Sequence, residues 1–248
     1  MEVLTKVLVA IPTYNEALSI SGLIQNLLNS PWDLEILVID DNSPDGTGAI
    51  VNNLGSPRVH LIGSARKSGL GSAYLKAFTW ALLNGNFTHL ATMDGDGSHR
   101  PNDLELMLES AQKVEVLLGT RWMPGGGIEN WPKVRQRISK MGTSYARWAL
   151  KYPFRDLTGG FRVYSIETLG KIDLEKIQSQ GYCFQIEMVR AARSVGATFA
   201  EMPITFVERA TGKSKMGKGI VMEAFLRVSL WGLNARLNPN ADKLHYVK

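Results

Sequence analysis

The sequence holds one cysteine, Cys183, among 248 residues. A lone thiol cannot close an internal disulfide or build a cysteine-rich zinc site, and this fits a reducing compartment. Long hydrophobic runs are also missing. The most apolar late stretch, residues 220–237, is interrupted by Glu223 and Arg227, short of the roughly 18 apolar residues that a membrane span needs. Residues 1–6 lack a basic leader with a cleavage site and run straight into Val7-Leu8-Val9-Ala10-Ile11. We therefore expect no signal peptide and a soluble or peripheral protein, and read the sequon Asn86-Phe87-Thr88 as a chance match. His60, His89, His99 and His245 show no metal-binding spacing and are expected to be structural or exposed. There is no fixed-period repeat and no low-complexity tract.

What is present is an ordinary globular composition, 44% hydrophobic and 21% charged, which excludes a disordered chain. At roughly 100 to 200 residues per domain, the length suits one large domain, or one domain with a small appendage. A formal net charge of +5 favours anionic partners, among them nucleic acid, phosphorylated small molecules and acidic membranes.

Strand-sized apolar runs at residues 6–11, 34–39, 59–62, 89–93 and 114–118 carry little alternation, as in strands buried on both faces. Helix-length segments at 17–28, 46–54, 71–83 and 102–110 separate them, so the pattern predicts an α/β fold with a mostly parallel sheet. Ligands in such folds bind at the carboxyl ends of the strands. Further on come a flexible glycine loop at 124–127, a helix at 133–148, a strand at 161–164, a strand at 199–207 and an amphipathic helix from Ile220. In the 133–148 helix, Ile138, Met141, Tyr145 and Trp148 form an apolar stripe opposite Arg135, Lys140 and Arg147. Packing on the core is the expected role of that stripe, with a membrane interface as the alternative.

Three strand ends carry chemistry. Asp94-Gly95-Asp96 suits a hard divalent ion bridged to a diphosphate, though acidic turns after strands are also common. Asp40-Asp41-Asn42-Ser43-Pro44-Asp45-Gly46-Thr47 offers acceptors for a ribose or a base, or else a turn capped by Asp45 or Thr47. Ile11-Pro12-Thr13-Tyr14-Asn15-Glu16 brings a stacking ring and an acceptor, or only a helix start. Cys183 is expected to pack, since nothing marks it as an activated thiolate. Thr211-Gly212-Lys213-Ser214 ends like a P-loop, but Val207 stands where that motif needs glycine, and Tyr74 replaces the last glycine of a dinucleotide fingerprint at Gly69-Leu70-Gly71. A nucleotide hydrolase and a dehydrogenase are both disfavoured.

The order of these motifs, with Lys67-Ser68-Gly69-Leu70-Gly71-Ser72-Ala73-Tyr74 and Met93-Asp94-Gly95-Asp96-Gly97-Ser98-His99, resembles the family 2 glycosyltransferases of the Rossmann-like GT-A fold. More narrowly, Gly119-Thr120-Arg121, Gly125-Gly126-Gly127-Ile128-Glu129-Asn130-Trp131-Pro132, Asp156-Leu157-Thr158-Gly159-Gly160-Phe161 and Gly212-Lys213-Ser214-Lys215-Met216 resemble the polyprenol (dolichol) phosphate mannose synthases. The resemblance implies a GT-A domain over residues 1–230, followed by a tail over 231–248, and inverting transfer of mannose from GDP-mannose to a polyprenol phosphate. The alternative is a synthase that moves glucose or another sugar to the same lipid.

Carried over by that resemblance, Pro12, Tyr14, Glu16, Ile39 and Asp41 would line the guanosine pocket, and Asp94, Gly95 and Asp96 would face ribose, diphosphate and sugar. Asp96 would be the main ligand of Mg²⁺ or Mn²⁺, with Ser98 at a metal-binding position where the family commonly has glutamine. Gly95 stands where alanine is usual, a change expected to matter little. Arg121, Arg135 and Ser139 would meet the acceptor phosphate, and Arg209 and Lys215 would close over the donor diphosphate. The implied partners are GDP-mannose, polyprenol phosphate and the cytoplasmic face of a membrane, with a separate membrane-anchoring protein and no nucleic acid.

Overall fold

The computed structural model describes residues 6–208, 218–238 and 240–248, without the side chains of residues 182 and 218–221. In chain order the elements are β1 (Val7–Thr13), α1 (Ile20–Leu28), β2 (Leu34–Asp40), α2 (Thr47–Asn52), β3 (Val59–Gly63), α3 (Leu70–Asn84), β4 (His89–Thr92), α4 (Pro101–Ala111) and β5 (Val116–Thr120). Then follow β6 (Gly127–Glu129), α5 (Lys133–Leu150), β7 (Arg162–Ser165), α6 (Ile166–Lys171), α7 (Gly181–Ser194), β8 (Phe199–Pro203), β9 (Thr205–Val207), α8 (Lys218–Leu237) and α9 (Ala241–Tyr246).

Seven strands form one sheet in the order β3-β2-β1-β4-β7-β5-β8, with β7 antiparallel to both neighbours and the other pairings parallel. The apolar runs make this sheet because successive side chains leave opposite faces. Leu8, Ala10, Leu37, Ile39, Leu90 and Leu118 pack on one side with α3 and α7, while Val7, Val9, Ile11, Ile36, Val38 and Ala91 pack on the other with α1 and α4. Each buried aliphatic side chain contributes about 1.5–3 kcal/mol, so both faces must be covered. Between β1 and β4 the strand order reverses direction, and this is where an α/β sheet opens a crevice at its carboxyl edge.

Three local expectations are corrected. The single strand at 199–207 is two: β8 ends at Pro203, and β9 leaves the main sheet to pair with β6. The supposed flexible loop contributes to β6, held by Gly127 N–H donating to Ile204 O (3.0 Å). The stripe on α5 does not pack on the core. Ile138, Met141 and Trp148 are 43%, 70% and 66% exposed, because the helix buries Thr143, Ala146, Ala149 and Leu150 instead. Tyr145 is the exception, stacked on Phe225 with ring centres 4.7 Å apart. Helix α8 packs along α5, with Val228 buried, and exposes Met222, Leu226, Leu230, Leu233 and Leu237. Residues 231–248 hold the end of α8 and α9, whose Tyr246 is buried and donates to Glu187 Oε1 (3.0 Å).

Candidate active site

At the carboxyl edge, the loops after β1 and β2 are stitched together by polar contacts. Asn15 N–H donates to Ser43 Oγ, Glu16 N–H to Thr47 Oγ1 and Ala17 N–H to Asp45 Oδ2, each at 3.0 Å. Asp45 Oδ1 also accepts from Thr47 N–H (3.1 Å) at the start of α2. Asp40 accepts from Thr13 Oγ1 (3.0 Å) and from Ser43 Oγ (2.5 Å).

Two residues expected to line the guanosine pocket have buried side chains. Ile39 is fully buried in the core, as the alternation of β2 requires. Asp41 is turned inward, where its oxygens accept from Ser68 N–H (2.7 and 2.9 Å), Ser68 Oγ (2.8 Å) and Gly69 N–H (2.8 Å). Burial alone would raise its pKa, but the Gly69 and Ser68 donors outweigh it and hold the carboxyl below its ordinary value. Pro12, Tyr14 and Glu16 remain half-buried at the edge, and Lys67 Nζ lies 3.6 Å over the centre of the Tyr14 ring.

The acidic loop leaves β4 next door. The Asp94 side chain is about a third exposed. Asp96 Oδ1 accepts from Ser98 N–H (3.0 Å), closing a turn in which Gly97 takes φ +77°. A Cβ on Gly95 would meet Thr13 Cγ2 at 3.0 Å and Ile11 Cγ2 at 3.2 Å, so glycine is better suited here than its exchange for alanine suggested. Ser98 is buried, and its Oγ has no hydrogen-bond partner among the described residues. No cluster of three or more metal-binding side chains occurs among the described residues. Two carboxylates and an unpartnered hydroxyl fit a Mg²⁺-like ion that takes its other ligands from substrate phosphates and water.

Uncharged polar groups surround Asp94. A Cβ placed on Gly160 would lie 3.3 Å from Gln185 Nε2, 3.6 Å from Asp94 Oδ1 and 3.9 Å from the Tyr74 hydroxyl. Tyr74 and Gln185 are buried, and those two atoms have no hydrogen-bond partner among the described residues. His99, also buried, accepts from Asp94 N–H through Nδ1 (3.0 Å). Burial holds its imidazole far below the usual range, at about 4.

The expected acceptor cations come from β5 and α5. Arg121 is locked to the buried Asp156, with Nε 2.7 Å and Nη2 2.9 Å from its two oxygens. Despite burial, the Arg121 charge and its hydrogen bonds hold the Asp156 carboxyl below its ordinary value. Arg135 pairs with Glu208 (2.6 Å) and lies 3.9 Å over the Trp131 ring, and Arg121 lies 5.6 Å from the same ring centre. The structure thus brings both guanidiniums to one aromatic wall, which continues from Trp131 through Phe206 to His99 and Phe161. Ser139 sits half-buried one turn beyond Arg135 in α5. Arg209 and Lys215 lie outside the described residues. Sequence reading missed Asp156, His99, Tyr74, Gln185 and Phe206. Each owes its place to a contact far away in the chain or to its burial, except His99, five residues after Asp94.

A mostly parallel, doubly wound sheet with an acidic turn at its switch point is an architecture of the GT-A type. Comparisons agree. The family described as "Glycosyl transferase family 2" matches residues 8–173. An undecaprenyl-phosphate mannosyltransferase of Micrococcus luteus is 43% identical, covering 93% of this chain and 96% of that protein. A polyprenol monophosphomannose synthase of Mycolicibacterium smegmatis is 41% identical over 94% of this chain and 89% of its own. Among solved structures, mannosyl-3-phosphoglycerate synthase from Rubrobacter xylanophilus superimposes with a TM-score of 0.67, covering 95% of this chain and 76% of that one at 19% identity. Glucosyl-3-phosphoglycerate synthase from Mycobacterium tuberculosis, solved with Mn²⁺ and UDP, gives 0.65 at 15% identity, covering 94% and 79%. The chain belongs to glycosyl transferase family 2, in the group of the polyprenol phosphate mannose synthases, and is a glycosyltransferase.

Proposed function

We propose that this chain transfers mannose from GDP-mannose to the phosphate of a polyprenol, inverting the anomeric carbon. The observation that carries the reading is the placement of Asp94 and Asp96 at the strand switch point, with Arg121 and Arg135 sharing the aromatic wall that runs from the same loop. The names of the two curated relatives, a mannosyltransferase and a monophosphomannose synthase of polyprenol phosphates, support the sugar and the lipid class.

On this reading Pro12, Tyr14 and Glu16 border the nucleoside, and Asp94, Gly95 and Asp96 face the diphosphate and sugar. Asp96, with Ser98 directly or through water, would hold Mg²⁺ or Mn²⁺, which when bound neutralises charge developing on the leaving diphosphate. Arg121, Arg135 and Ser139 orient the acceptor phosphate, with Arg209 and Lys215 closing over the donor. A phosphate oxygen attacks C1 of the mannose, and the bond from C1 to the diphosphate oxygen breaks as GDP leaves with the electron pair. The acceptor is already an anion, so the side chains position it and stabilise charge, with no strong general base. No enzyme nucleophile is required, and burial raises the Cys183 thiol to about 11, keeping it protonated.

A lipid acceptor also requires contact with a bilayer, and we place it on the exposed apolar faces of α5 and α8. No helix among the described residues is long and apolar enough to cross a membrane. Beside the stripe, a cleft of about 330 Å³ is lined by Ser144, Arg147, Trp148, Lys151 and Tyr152, which mixes cations with aromatic rings as the headgroup region favours. Attachment would be peripheral, on the cytoplasmic face, with a membrane-anchoring protein as a further partner. The test is transfer of labelled sugar to polyprenol phosphate from a panel of nucleotide sugars. GDP-mannose should be preferred; preference for a glucose donor, or no transfer from any donor, would contradict the proposal.

A further inference from the structure

We propose that His99 is a positioning residue: its ring nitrogen Nδ1 fixes the main chain of Asp94 and so sets how the acidic loop meets the nucleotide sugar. This rests on the proposed role of Asp94 at the donor. Asp94 is the second residue past β4, where the ladder of sheet hydrogen bonds has ended. Its N–H would be left to water or unpaired, yet it donates to His99 Nδ1 at 3.0 Å. That bond makes Nδ1 the acceptor and leaves the ring proton on Nε2, which stands 3.8 Å from Asp94 Oδ2, too far for a hydrogen bond.

The ring cannot turn away from this task. Phe161 stacks on one face with ring centres 4.5 Å apart and planes 17° from parallel, and Phe206 meets its edge at 5.3 Å and 81°. An isolated backbone bridge also joins residues 99 and 206. With both ends of the loop held at His99, and the Gly97 turn between them, Asp94 and Asp96 have little freedom to shift independently. Loops that hold reacting groups to within an ångström owe their precision to such supports.

Two substitutions separate the hydrogen bond from the packing. His99→Phe keeps a flat ring between Phe161 and Phe206 but removes the acceptor. His99→Asn loses the ring but carries an amide oxygen close to the former Nδ1 position. Binding of GDP-mannose, measured by calorimetry with Mn²⁺, and the KM for polyprenol phosphate are the readouts. We expect His99→Phe to weaken donor binding at least tenfold, His99→Asn to stay within threefold of the wild type, and the lipid KM to stay unchanged in both. Wild-type donor binding in His99→Phe, or equal weakening in the two variants, would overturn the proposal. If His99→Phe does not fold, His99→Asn decides alone: retention within threefold supports it and tenfold weakening refutes it. Failure of the wild type itself to bind GDP-mannose would instead remove the functional reading beneath it.

Discussion

The loops at the ends of β1, β2 and β4 and the paired helices α5 and α8 are finished in opposite ways. In the strand-end loops, side chains and backbone donors satisfy one another, as at Asp40, Asp41, Asp45 and the Asp94 N–H. The helices leave Val134, Met141, Trp148, Leu230 and Leu237 more than half exposed. Isolated exposed apolar residues mean little, but here they lie along two helices packed on each other. Under the proposed function, the side that takes a soluble nucleotide is built in advance, and the side that takes a lipid is completed by the bilayer.

Breaking the buried Arg121–Asp156 pair beside the aromatic wall should have the largest effect on folding. Asp156→Ala removes the carboxylate that balances the buried Arg121 charge, and chemical denaturation should show a loss of about 3–5 kcal/mol. The same pair predicts an acid limit. The carboxyl of Asp156 is held below its ordinary value of 3.8, so its contribution is complete above that pH and is lost as pH falls further, through the folded-state pKa. A denaturation midpoint that did not move between pH 5 and pH 3 would contradict this.

The helical side alone is addressed by Met141→Asp with Leu230→Asp. Flotation with anionic liposomes should fall at least tenfold while GDP-mannose binding is unchanged; loss of both would erase the distinction drawn here. Arg135→Ala sharpens it further. Raised KM for polyprenol phosphate by about tenfold, with donor affinity intact, is the expected result, corresponding to ~1.4 kcal/mol of a charge-assisted contact. Gly95→Ala is the mildest. The tight approach to Thr13 and Ile11 should cost about 1 kcal/mol or less in stability, read from the thermal midpoint.

The sheet was legible because its strands are buried on both faces and so appear as unbroken apolar runs, and the acidic turns were legible because they follow those runs directly. Orientation was not. Nothing local says that the N–H groups of Ser68 and Gly69 converge on Asp41. Helical periodicity located the stripe of α5 but could not say which face would find a neighbour. Asp156 was quoted within a motif without its partner, since the ion pair joins residues 35 apart in the chain. His99 looked inert because a single histidine has no spacing to read; only its burial against Phe161 and Phe206 reveals its bond to Asp94.

The central claim is that carboxylates at the β4 edge drive sugar transfer with a divalent ion. Its most direct test is the rate of mannose transfer from GDP-mannose to polyprenol phosphate by the wild type and Asp96→Ala, each with Mn²⁺ and with a chelator. The account predicts that chelation and the substitution each lower the wild-type rate by on the order of 10²–10³-fold, and that Mn²⁺ no longer rescues Asp96→Ala. Transfer by Asp96→Ala at the wild-type rate, or transfer indifferent to the chelator, would contradict it.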